Sequence, residues 1–334
     1  MSSGLLLPFS PRATPGELLE RVLHSSGAPP LLERTLCGPL RSFLARPGKG
    51  LRAELVTVAW ELAAGRGEVP AEILVAIELL HAGSLVVDDI EDGSCERRGA
   101  PALHARIGVP LALNAGNWLY FAALELLAST PVEPASRLRL LETAGSLLAR
   151  CHQGQALDLG IAVSELSQDE VPAAWRASAE RKTGGLSALA ASLSAVSAGA
   201  GQREQAALRR FGERLGVALQ LLDDVGSVCS EARRCKGQED VALGRVTACW
   251  ALLSSRLPAE SYELLRVWSA EVVADRAEPG PLLDKLRASL ADHGKDAARH
   301  ELDEALHDLR RAFPPSRALD RAADLARCLE SHYG

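Results

Sequence analysis

Apolar residues recur along the chain at helical spacing, in runs that end at proline or glycine. One long run follows Pro70 and reads EILVAIELLHAGSLVVDDIED before Gly93. Its apolar positions return every three to four residues, which is the period of an α-helix with a buried face. No stretch sustains the alternation of apolar and polar residues that a half-buried β-strand shows. The pattern predicts a chain built of helices.

Other runs share this period and are bounded by capping or helix-breaking residues. They predict helices from Leu51, from about Asn114, from about Pro134, after Ser167 and from Gln202 to Glu231. Further helices are expected from about Val241, Pro258, Pro279 and His300, after a charged loop RRCKGQED. No repeat or low-complexity linker divides the chain, so we expect a single all-α domain over residues 1–334.

Composition supports a large helical core. Hydrophobic residues make up 47% and charged residues 24% of the 334 residues. A chain of this length and composition can bury a large apolar core and needs no disulfide bonds or structural metal to fold. Aromatic residues are only 4%, while Ala and Leu dominate, which favours helices over sheets. The net charge of −6 argues against a broad nucleic-acid-binding surface, so we expect no nucleic-acid partner.

The spacing of the cysteines and the apolar runs indicate the cellular compartment in which the protein is expected. The seven cysteines form no C-x-x-C pair, so we expect reduced thiols in a cytoplasmic protein. The N-terminal apolar run is broken by Pro8 and lacks a basic segment, so no signal peptide is expected. The most membrane-like run, residues 107–124, carries Pro110, Asn114 and Asn117, which favours a buried core helix over a membrane span.

The helix after Pro70 ends in a cluster of acidic residues. His81, Asp88 and Asp92 lie on one stripe of this helix, because spacings of four, seven and eleven residues return to the same face. Asp89 stands beside them. Two carboxylates one turn apart on a buried face repel each other and lose hydration, which is unfavourable unless the charge is compensated. A divalent cation such as Mg²⁺, shared with phosphate oxygens, removes that cost.

A second acidic cluster closes the helix predicted from Gln202. It contains Asp223 and Asp224, and Ser227 and Glu231 follow Asp223 by four and eight residues on one stripe. Two helices with inward acidic stripes can hold Mg²⁺ ions between them, and a diphosphate bridged by those ions becomes a leaving group. The Arg97–Arg98 pair after the first cluster adds forked donors that match phosphate geometry.

In this order, the motifs resemble the trans-prenyl diphosphate synthase, or polyprenyl synthetase, family. The residues that carry the resemblance are Gly48-Lys49-Gly50-Leu51-Arg52, His81, Asp88-Asp89-x-x-Asp92, Arg97-Arg98-Gly99, Gly154-Gln155-x-x-Asp158, Lys182-Thr183, Gln220-x-x-Asp223-Asp224, Lys236-Gly237 and Asp240. The ordered set covers most of the chain. The segment NAGNWLYFAALE looks like the geranylgeranyl diphosphate synthases of the eukaryotic type.

The resemblance implies an all-helical fold around a deep apolar cavity, and an enzyme that ionises an allylic diphosphate and condenses it with isopentenyl diphosphate. It also implies three Mg²⁺ ions, which Mn²⁺ can replace, and a homodimer. The expected metal ligands are Asp88, Asp92 and Asp223, with Asp89, Asp224, Ser227 and Glu231 as further candidates. The residues expected at the allylic diphosphate are Arg97, Lys182, Thr183 and Lys236, with Gln220 near the reacting carbons. Those expected at isopentenyl diphosphate are Lys49, Arg52, His81 and Arg98.

The chain departs from the family pattern at several positions. They are Gly50 and Leu222, where the family has arginine, Ser227, where it has aspartate, Gly244-Arg245 in place of Gly-Lys, and Gly116-Asn117 in place of Gly-Asp. With Ser227 and Glu231, the second acidic motif matches that of class I terpene cyclases. Elongation is our first interpretation, since the isopentenyl diphosphate set is complete, and cyclisation is the alternative. A third, a non-catalytic partner subunit, is disfavoured by the paired acids.

Small residues near the first acidic motif bear on product length. Gly83 and Ser84 lie five and four residues before Asp88. In the family, bulky aromatic residues there close the cavity floor, and small ones leave it open. The resemblance therefore favours products of C20 or longer, unless Trp118 or Tyr120 forms the floor.

Overall fold

The computed structural model describes residues 15–24, 30–46, 50–290 and 293–333. Within these ranges the chain is helical nearly throughout, which confirms the all-α prediction. The strands in the described part of the chain are two short ones, β1 (Glu96–Arg97) and β2 (Ala100–Pro101), which pair antiparallel in a hairpin. Gly48 and Lys49 of the predicted basic motif lie outside the described residues.

The first half contains the helices predicted from Leu51, after Pro70, from about Asn114 and from about Pro134, the third of which begins earlier, at Val109, together with shorter helices. In chain order they are α1 (Pro15–His24), α2 (Pro30–Leu32), α3 (Gly38–Leu44), α4 (Leu51–Leu62), α5 (Ala71–Glu91), α6 (Leu103–Ile107), α7 (Val109–Ser129) and α8 (Pro134–Gly160). A π-helical turn, Glu33–Cys37, joins α2 to α3.

The second half continues in the same way. Its helices are α9 (Val171–Arg181), α10 (Thr183–Ser197), α11 (Gln202–Cys229), α12 (Arg234–Ala242), α13 (Ala248–Ser254), α14 (Ala259–Val273), α15 (Pro279–Leu290), α16 (His293–Ala312) and α17 (Arg317–Tyr333). Short 3₁₀ turns, Val163–Glu165 and Glu231–Arg233, precede α9 and α12. None of the described helices has the length and apolar character needed to cross a membrane.

Internal packing divides the chain into two compact units. The first unit comprises Met1–Gly145 with Ala190–Gln205, and the second comprises Ser146–Leu189 with Ala206–Gly334. The single domain expected over residues 1–334 stays a prediction.

The core of the first unit is the packing of α5 against α7. Ile73, Ile77 and Leu80 of α5 are buried at helical spacing, as are Leu119 and Leu126 of α7. Each buried aliphatic side chain of this size contributes roughly 1.5–3 kcal/mol relative to exposure. This packing positions the last turn of α5, where the first acidic motif lies.

Two glycines set how closely α5 approaches α7. A Cβ atom on Gly83 would lie 2.9 Å from the carbonyl oxygen of Gly116 and 3.0 Å from the Tyr120 ring. Gly83 therefore packs against the backbone of the neighbouring helix. This contact does not support the expectation that a small residue at position 83 leaves the floor of a substrate cavity open. The expectation of products of C20 or longer is therefore not supported by Gly83.

The second unit contains a comparable contact between α10 and α11. A Cβ atom on Gly212 would lie 2.6 Å from the Ser187 carbonyl oxygen, and one on Gly216 would lie 2.5 Å from the Thr183 carbonyl oxygen. Because only glycine fits at both positions, the start of α10 lies directly against the middle of α11. This contact holds Thr183 beside the second acidic motif.

The structure corrects two element boundaries near that motif. Helix α11 ends at Cys229 rather than at Glu231, because Ser230 adopts extended backbone and starts the 3₁₀ turn. The segment predicted as a charged loop instead forms most of α12. Its sequence is too polar to show an apolar period, and the buried residues of the helix are only Gly237 and Val241. A Cβ atom on Gly237 would lie 2.4 Å from the Ser227 carbonyl oxygen, so the glycine permits this approach.

We expect Gly83→Ala to lower the free energy of unfolding by about 1–3 kcal/mol, because the added methyl group must displace the α7 backbone. The matched control is Gly145→Ala in α8, where a Cβ atom meets nothing within 4 Å. There alanine should stabilise the protein by up to about 1 kcal/mol through its helix propensity. Urea denaturation of both variants measures the difference, and equal stabilisation by the two substitutions would contradict the tight α5–α7 contact.

Candidate active site

The first acidic motif occupies the C-terminal turn of α5. The Asp88 side chain is 22% exposed, Asp92 is half-buried at the helix C-cap, and Asp89 is completely buried. Asp88 and Asp92 are one helical turn apart, as the predicted stripe requires, and neither is fully buried. Asp89 points into the protein instead.

Asp89 is held by Arg97 of the hairpin. Arg97 donates from Nε to Asp89 Oδ1 at 2.7 Å and also from Nη2 to the same oxygen. Its Nη2 lies 3.9 Å from Asp88 Oδ2. Burial raises the pKa of Asp89, and Arg97 opposes that rise. Because a guanidinium keeps its proton at any working pH, the pair is ionic and fixes Arg97 beside the accessible carboxylates.

The hairpin presents a second arginine at its tip. Arg98 and Gly99 form the two-residue loop between β1 and β2, with φ of +54° and +71°. Positive φ at both positions is typical of the type I′ turn that matches strand twist. The Arg98 side chain is exposed and donates from Nη1 to the Arg46 carbonyl oxygen at 3.1 Å.

Arg52 and His81, two of the predicted site residues of the first unit, contact each other. Arg52 Nη1 lies 3.1 Å from Nε2 of His81. Burial lowers the pKa of His81 well below its usual value, and the charges of Arg52, Arg98 and Arg97 lower it further. The neutral imidazole therefore accepts from Arg52 at Nε2 and carries its own proton on Nδ1.

Gly50, where the family has arginine, precedes α4 with φ of +65°. Glycine adopts that conformation without strain. The departure from the family pattern at this position therefore has a local structural reason.

The second acidic motif is organised around Asp224. This carboxylate is 7% exposed and accepts three N–H groups. Trp175 Nε1 at 3.0 Å and the Ala248 amide at 2.7 Å donate to Oδ2, and Gln220 Nε2 at 2.7 Å donates to Oδ1. Burial raises the pKa of Asp224 to about 7, although its N–H donors favour the ionised form. Asp224 thus ties α9, α11 and α13 together.

Gln220 links this carboxylate to the start of α10. Thr183 Oγ1 donates to Gln220 Oε1 at 2.5 Å while Gln220 Nε2 donates to Asp224. Both ends of the amide are engaged, so its orientation is set by the network. The structure therefore brings together three predicted site residues, Thr183, Gln220 and Asp224.

The predicted lysines of this unit each contact an aspartate. Lys182 Nζ lies 2.7 Å from Asp158 Oδ2, and Lys236 Nζ lies 2.9 Å from Asp240 Oδ1. Arg245 donates from Nη1 to the Asp158 carbonyl oxygen at 2.5 Å. The close approach of Lys182 to α8 requires glycine, since a Cβ atom on Gly154 would lie 2.4 Å from the Lys182 amide nitrogen.

Glu231 does not continue the stripe of Asp223 and Ser227, because α11 ends at Cys229, before Glu231. Ser227 is buried and donates from Oγ to the Asp224 carbonyl oxygen at 2.7 Å. The Glu231 side chain is 73% exposed and pairs with Arg287 at 3.2 Å. Asp223 is 39% exposed and pairs with Arg233 at 2.6 Å. The stripe inferred from sequence spacing is therefore wrong at Glu231, whereas Asp223 and Ser227 remain one turn apart in the same helix.

The donor set fits a metal ion that is completed by substrate. Among the described residues, no group of three or more His, Cys, Asp and Glu is arranged to hold a metal ion. Mg²⁺ is commonly bound by one or two carboxylates together with substrate phosphate oxygens. Asp88 and Asp92 offer such a pair in the first unit. In the second unit, Asp223 is an accessible carboxylate.

Sequence reasoning missed several residues that build these sites. Arg46, Trp175, Arg233 and Arg245 received no role from the sequence, yet each contacts a motif residue. Trp175 and Asp224 are 49 residues apart, so no local spacing connects them. A buried aspartate in a polar motif implies a donor, but not which one.

Solved structures share this fold. The geranylgeranyl pyrophosphate synthetase of Pyrococcus horikoshii superposes with a TM-score of 0.77 at 24% identity, covering 95% of each chain. A decaprenyl diphosphate synthase from Rhodobacter capsulatus gives 0.80 at 18% identity, covering 96% of this chain and 95% of its own. The class is therefore the all-helical isoprenoid synthase fold.

The sequence match then identifies the family. Residues 33–274 match the family described as Polyprenyl synthetase, and the chain belongs to it. It is 32% identical over 215 residues to the short chain isoprenyl diphosphate synthase of Methanothermobacter thermautotrophicus, covering 64% of this chain and 65% of that protein. It is 33% identical to geranylgeranyl pyrophosphate synthase 2 of Zymoseptoria tritici, covering 64% and 62%. The matches thus span somewhat less than two thirds of these relatives.

Asp224 should make stability depend on pH. Its pKa is about 7 in the folded chain against an ordinary value of 3.8, so between these values the folded state binds more protons. The free energy of unfolding should then fall as pH rises from about 4 to 7, by up to about 1.4 kcal/mol per pH unit, and level off above. Asp224→Asn should remove this component. Urea titrations with a chelator at pH 5, 6 and 7 measure it, and parallel profiles for parent and variant would contradict the assignment.

Proposed function

We propose that this chain is a trans-prenyltransferase that ionises an allylic diphosphate and condenses it with isopentenyl diphosphate. Family membership and the names of the relatives support the reaction class. The observation that carries the proposal is the basic set of the first unit. Arg97 stands at the acidic motif, whereas Arg52 with His81 forms a separate pair, so there are basic groups for two diphosphates. A cyclase, which uses one prenyl diphosphate, needs only one such set.

Mg²⁺ is the expected metal, in three ions, with Mn²⁺ as a substitute. We assign Asp88, Asp92 and Asp223 as ligands, because these three carboxylates remain accessible. We give structural roles to Asp89 and Asp224, since both are buried. Asp89 binds Arg97, and Asp224 connects α9, α11 and α13. Bound Mg²⁺ would offset the charge that develops on the departing diphosphate.

The chain's own residues bind and orient the two substrates. Arg97 and Lys182, with Thr183 and Lys236, bind the allylic diphosphate, and the contact of Lys182 with Asp158 sets its position before substrate arrives. The allylic carbon–oxygen bond breaks and its electron pair leaves with the diphosphate. The double bond of isopentenyl diphosphate then attacks the cation, and a proton is lost. Gln220, fixed at both ends, lies beside the reacting carbons in this proposal.

Isopentenyl diphosphate is assigned to Lys49, Arg52, His81 and Arg98. The neutral imidazole of His81 accepts from Arg52 and so aims that guanidinium without adding charge. Fixed donors of this kind lose little freedom when the phosphate binds. The relatives named geranylgeranyl synthases favour a C20 product. A cytoplasmic location remains part of the proposal.

The cyclase alternative has no specific support. Ser227 is engaged with the α11 backbone, and Glu231 is exposed outside the helix. The family and the relatives reported above are prenyl diphosphate synthases. If the chain were instead a non-catalytic partner subunit, the isolated protein would not turn over substrate.

We also propose that the active form is a homodimer that pairs through α7. Apolar side chains remain exposed along this helix, among them Leu113 at 40% and Phe121 at 68%. A row of this kind on one helix is typical of a surface that packs against another protein chain.

Asp92→Asn should lower turnover by about 100-fold or more, because it removes a charge that the metal needs at the transition state. Glu91→Gln is the matched control: it removes the same charge from the neighbouring, exposed residue and should keep turnover within about twofold. The assay supplies allylic and isopentenyl diphosphates with Mg²⁺ and identifies products by chain length.

Three results would count against the proposal. Near-normal turnover in Asp92→Asn at saturating Mg²⁺ would remove the metal site. No product from the parent chain would favour the partner-subunit interpretation. A terpene hydrocarbon or alcohol formed without isopentenyl diphosphate would favour the cyclase.

Phe121→Glu should convert the dimer to monomer, since a charge at the centre of an apolar interface is strongly unfavourable. Leu264→Glu is the control, because Leu264 of α14 is 72% exposed and lies outside α7. Light scattering coupled to gel filtration measures the mass of each variant. A dimer in both variants, or a monomeric parent, would exclude this interface.

A further inference from the structure

The hairpin that carries Arg97 and Arg98 is too small to be stable alone. It has two residues in each strand, and isolated two-stranded hairpins are marginal even when longer. Its tip also stores strain, because Arg98 has a left-handed φ of +54°, which side chains larger than glycine rarely adopt. Contacts from outside the hairpin must therefore hold this conformation.

Arg46, at the end of the α3 segment, supplies such contacts. Its Nη1 donates to the Arg97 carbonyl oxygen at 3.0 Å and its Nη2 donates to the Pro101 carbonyl oxygen at 2.9 Å. One guanidinium thus bridges both strands, using the planar fork that distinguishes arginine from lysine. Arg46 in turn lies over the ring of Phe43, 5.3 Å from its centroid, and Phe43 is buried in the core.

The contact between Arg46 and the hairpin is reciprocal. Arg98 donates from Nη1 to the Arg46 carbonyl oxygen at 3.1 Å, which fixes the direction of the exposed side chain. Arg97 has a separate anchor in the buried Asp89 carboxylate. The Arg46 side chain acts on Arg98 through the two strands that it bridges, and Arg97 keeps its bond to Asp89 without it, so loss of the side chain should disturb Arg98 more than Arg97.

We propose that Arg46 is a positioning residue that clamps the Glu96–Pro101 hairpin and thereby presents Arg98 to the diphosphate of isopentenyl diphosphate. Both forked nitrogens are occupied by backbone carbonyls, so Arg46 acts through the hairpin rather than on substrate. The proposal rests on the proposed function for the identity of the ligand, whereas the clamp itself is independent of it.

The test compares Arg46→Gln with Arg106→Gln. Arg106 is near Arg46 and carries the same charge, but it donates to Ser42 Oγ at 3.0 Å and not to the hairpin. Both variants remove one positive charge from this region, so any difference between them reports the clamp. Arg46→Lys is a third variant, which keeps the charge and loses the fork.

The first readout needs no activity. Hydrogen–deuterium exchange of a peptide over residues 94–101, followed by mass spectrometry, should be about fivefold faster or more in Arg46→Gln than in the parent. Arg106→Gln should exchange at the parent rate. Unchanged exchange in Arg46→Gln, or equal acceleration in both variants, would overturn the clamp whether or not the chain elongates.

The second readout is the pattern of kinetic constants. In Arg46→Gln the KM for isopentenyl diphosphate should rise about tenfold, with the allylic KM and kcat within about threefold. Arg46→Lys should restore less than half of that loss, and Arg106→Gln should match the parent. Faster exchange with an unchanged KM would overturn the positioning role. A parent chain that makes no product contradicts the proposed function instead, and exchange then decides the clamp alone.

Discussion

The burial of one carboxylate in each acidic motif is the constraint on which both units depend. Neighbouring residues on a helix point about 100° apart, so an Asp-Asp pair cannot place both side chains on the accessible face. Asp88 and Asp223 take that face, and Asp89 and Asp224 point inward. A buried charge without a partner is strongly unfavourable, so each inward aspartate must recruit donors. Each motif that we propose to bind metal with its accessible aspartate therefore also organises the fold with its buried one.

Those recruited donors also place the functional groups. In the first unit the donor is Arg97, so the requirement to pair Asp89 fixes beside Asp88 the arginine that we propose to bind phosphate. In the second unit Asp224 orients the Gln220 amide, which receives the Thr183 hydroxyl at its other end. Glycines at close helix contacts allow these short links, since side chains there would force the helices apart. Positioning and stability are thus properties of the same contacts.

The sequence predicted the helices, the acidic and basic motifs, and the family, because each depends on local spacing or on ordered short motifs. It also indicated that Asp88 and Asp92 share a face, which follows from helical geometry alone. It could not identify the partners of Asp224 or the clamp at Arg46, since those pairs are brought together by tertiary packing. It extended the second acidic stripe to Glu231 because spacing was counted through Ser230, where the backbone leaves the helix. The polar helix α12 was missed because little of its surface is buried.

The two inward aspartates solve the same problem with different chemistry, and this separates their dependence on pH. Asp89 faces a guanidinium that stays charged, so its carboxylate has a permanent counter-charge. Asp224 faces only neutral N–H donors, and burial raises its pKa to about 7. A carboxylate of that kind exchanges a proton near neutrality, whereas at Asp89 the charge of Arg97 opposes the rise in pKa that burial causes. Acidification should therefore alter the Asp224 junction of the second unit before it alters the Asp89–Arg97 pair of the first.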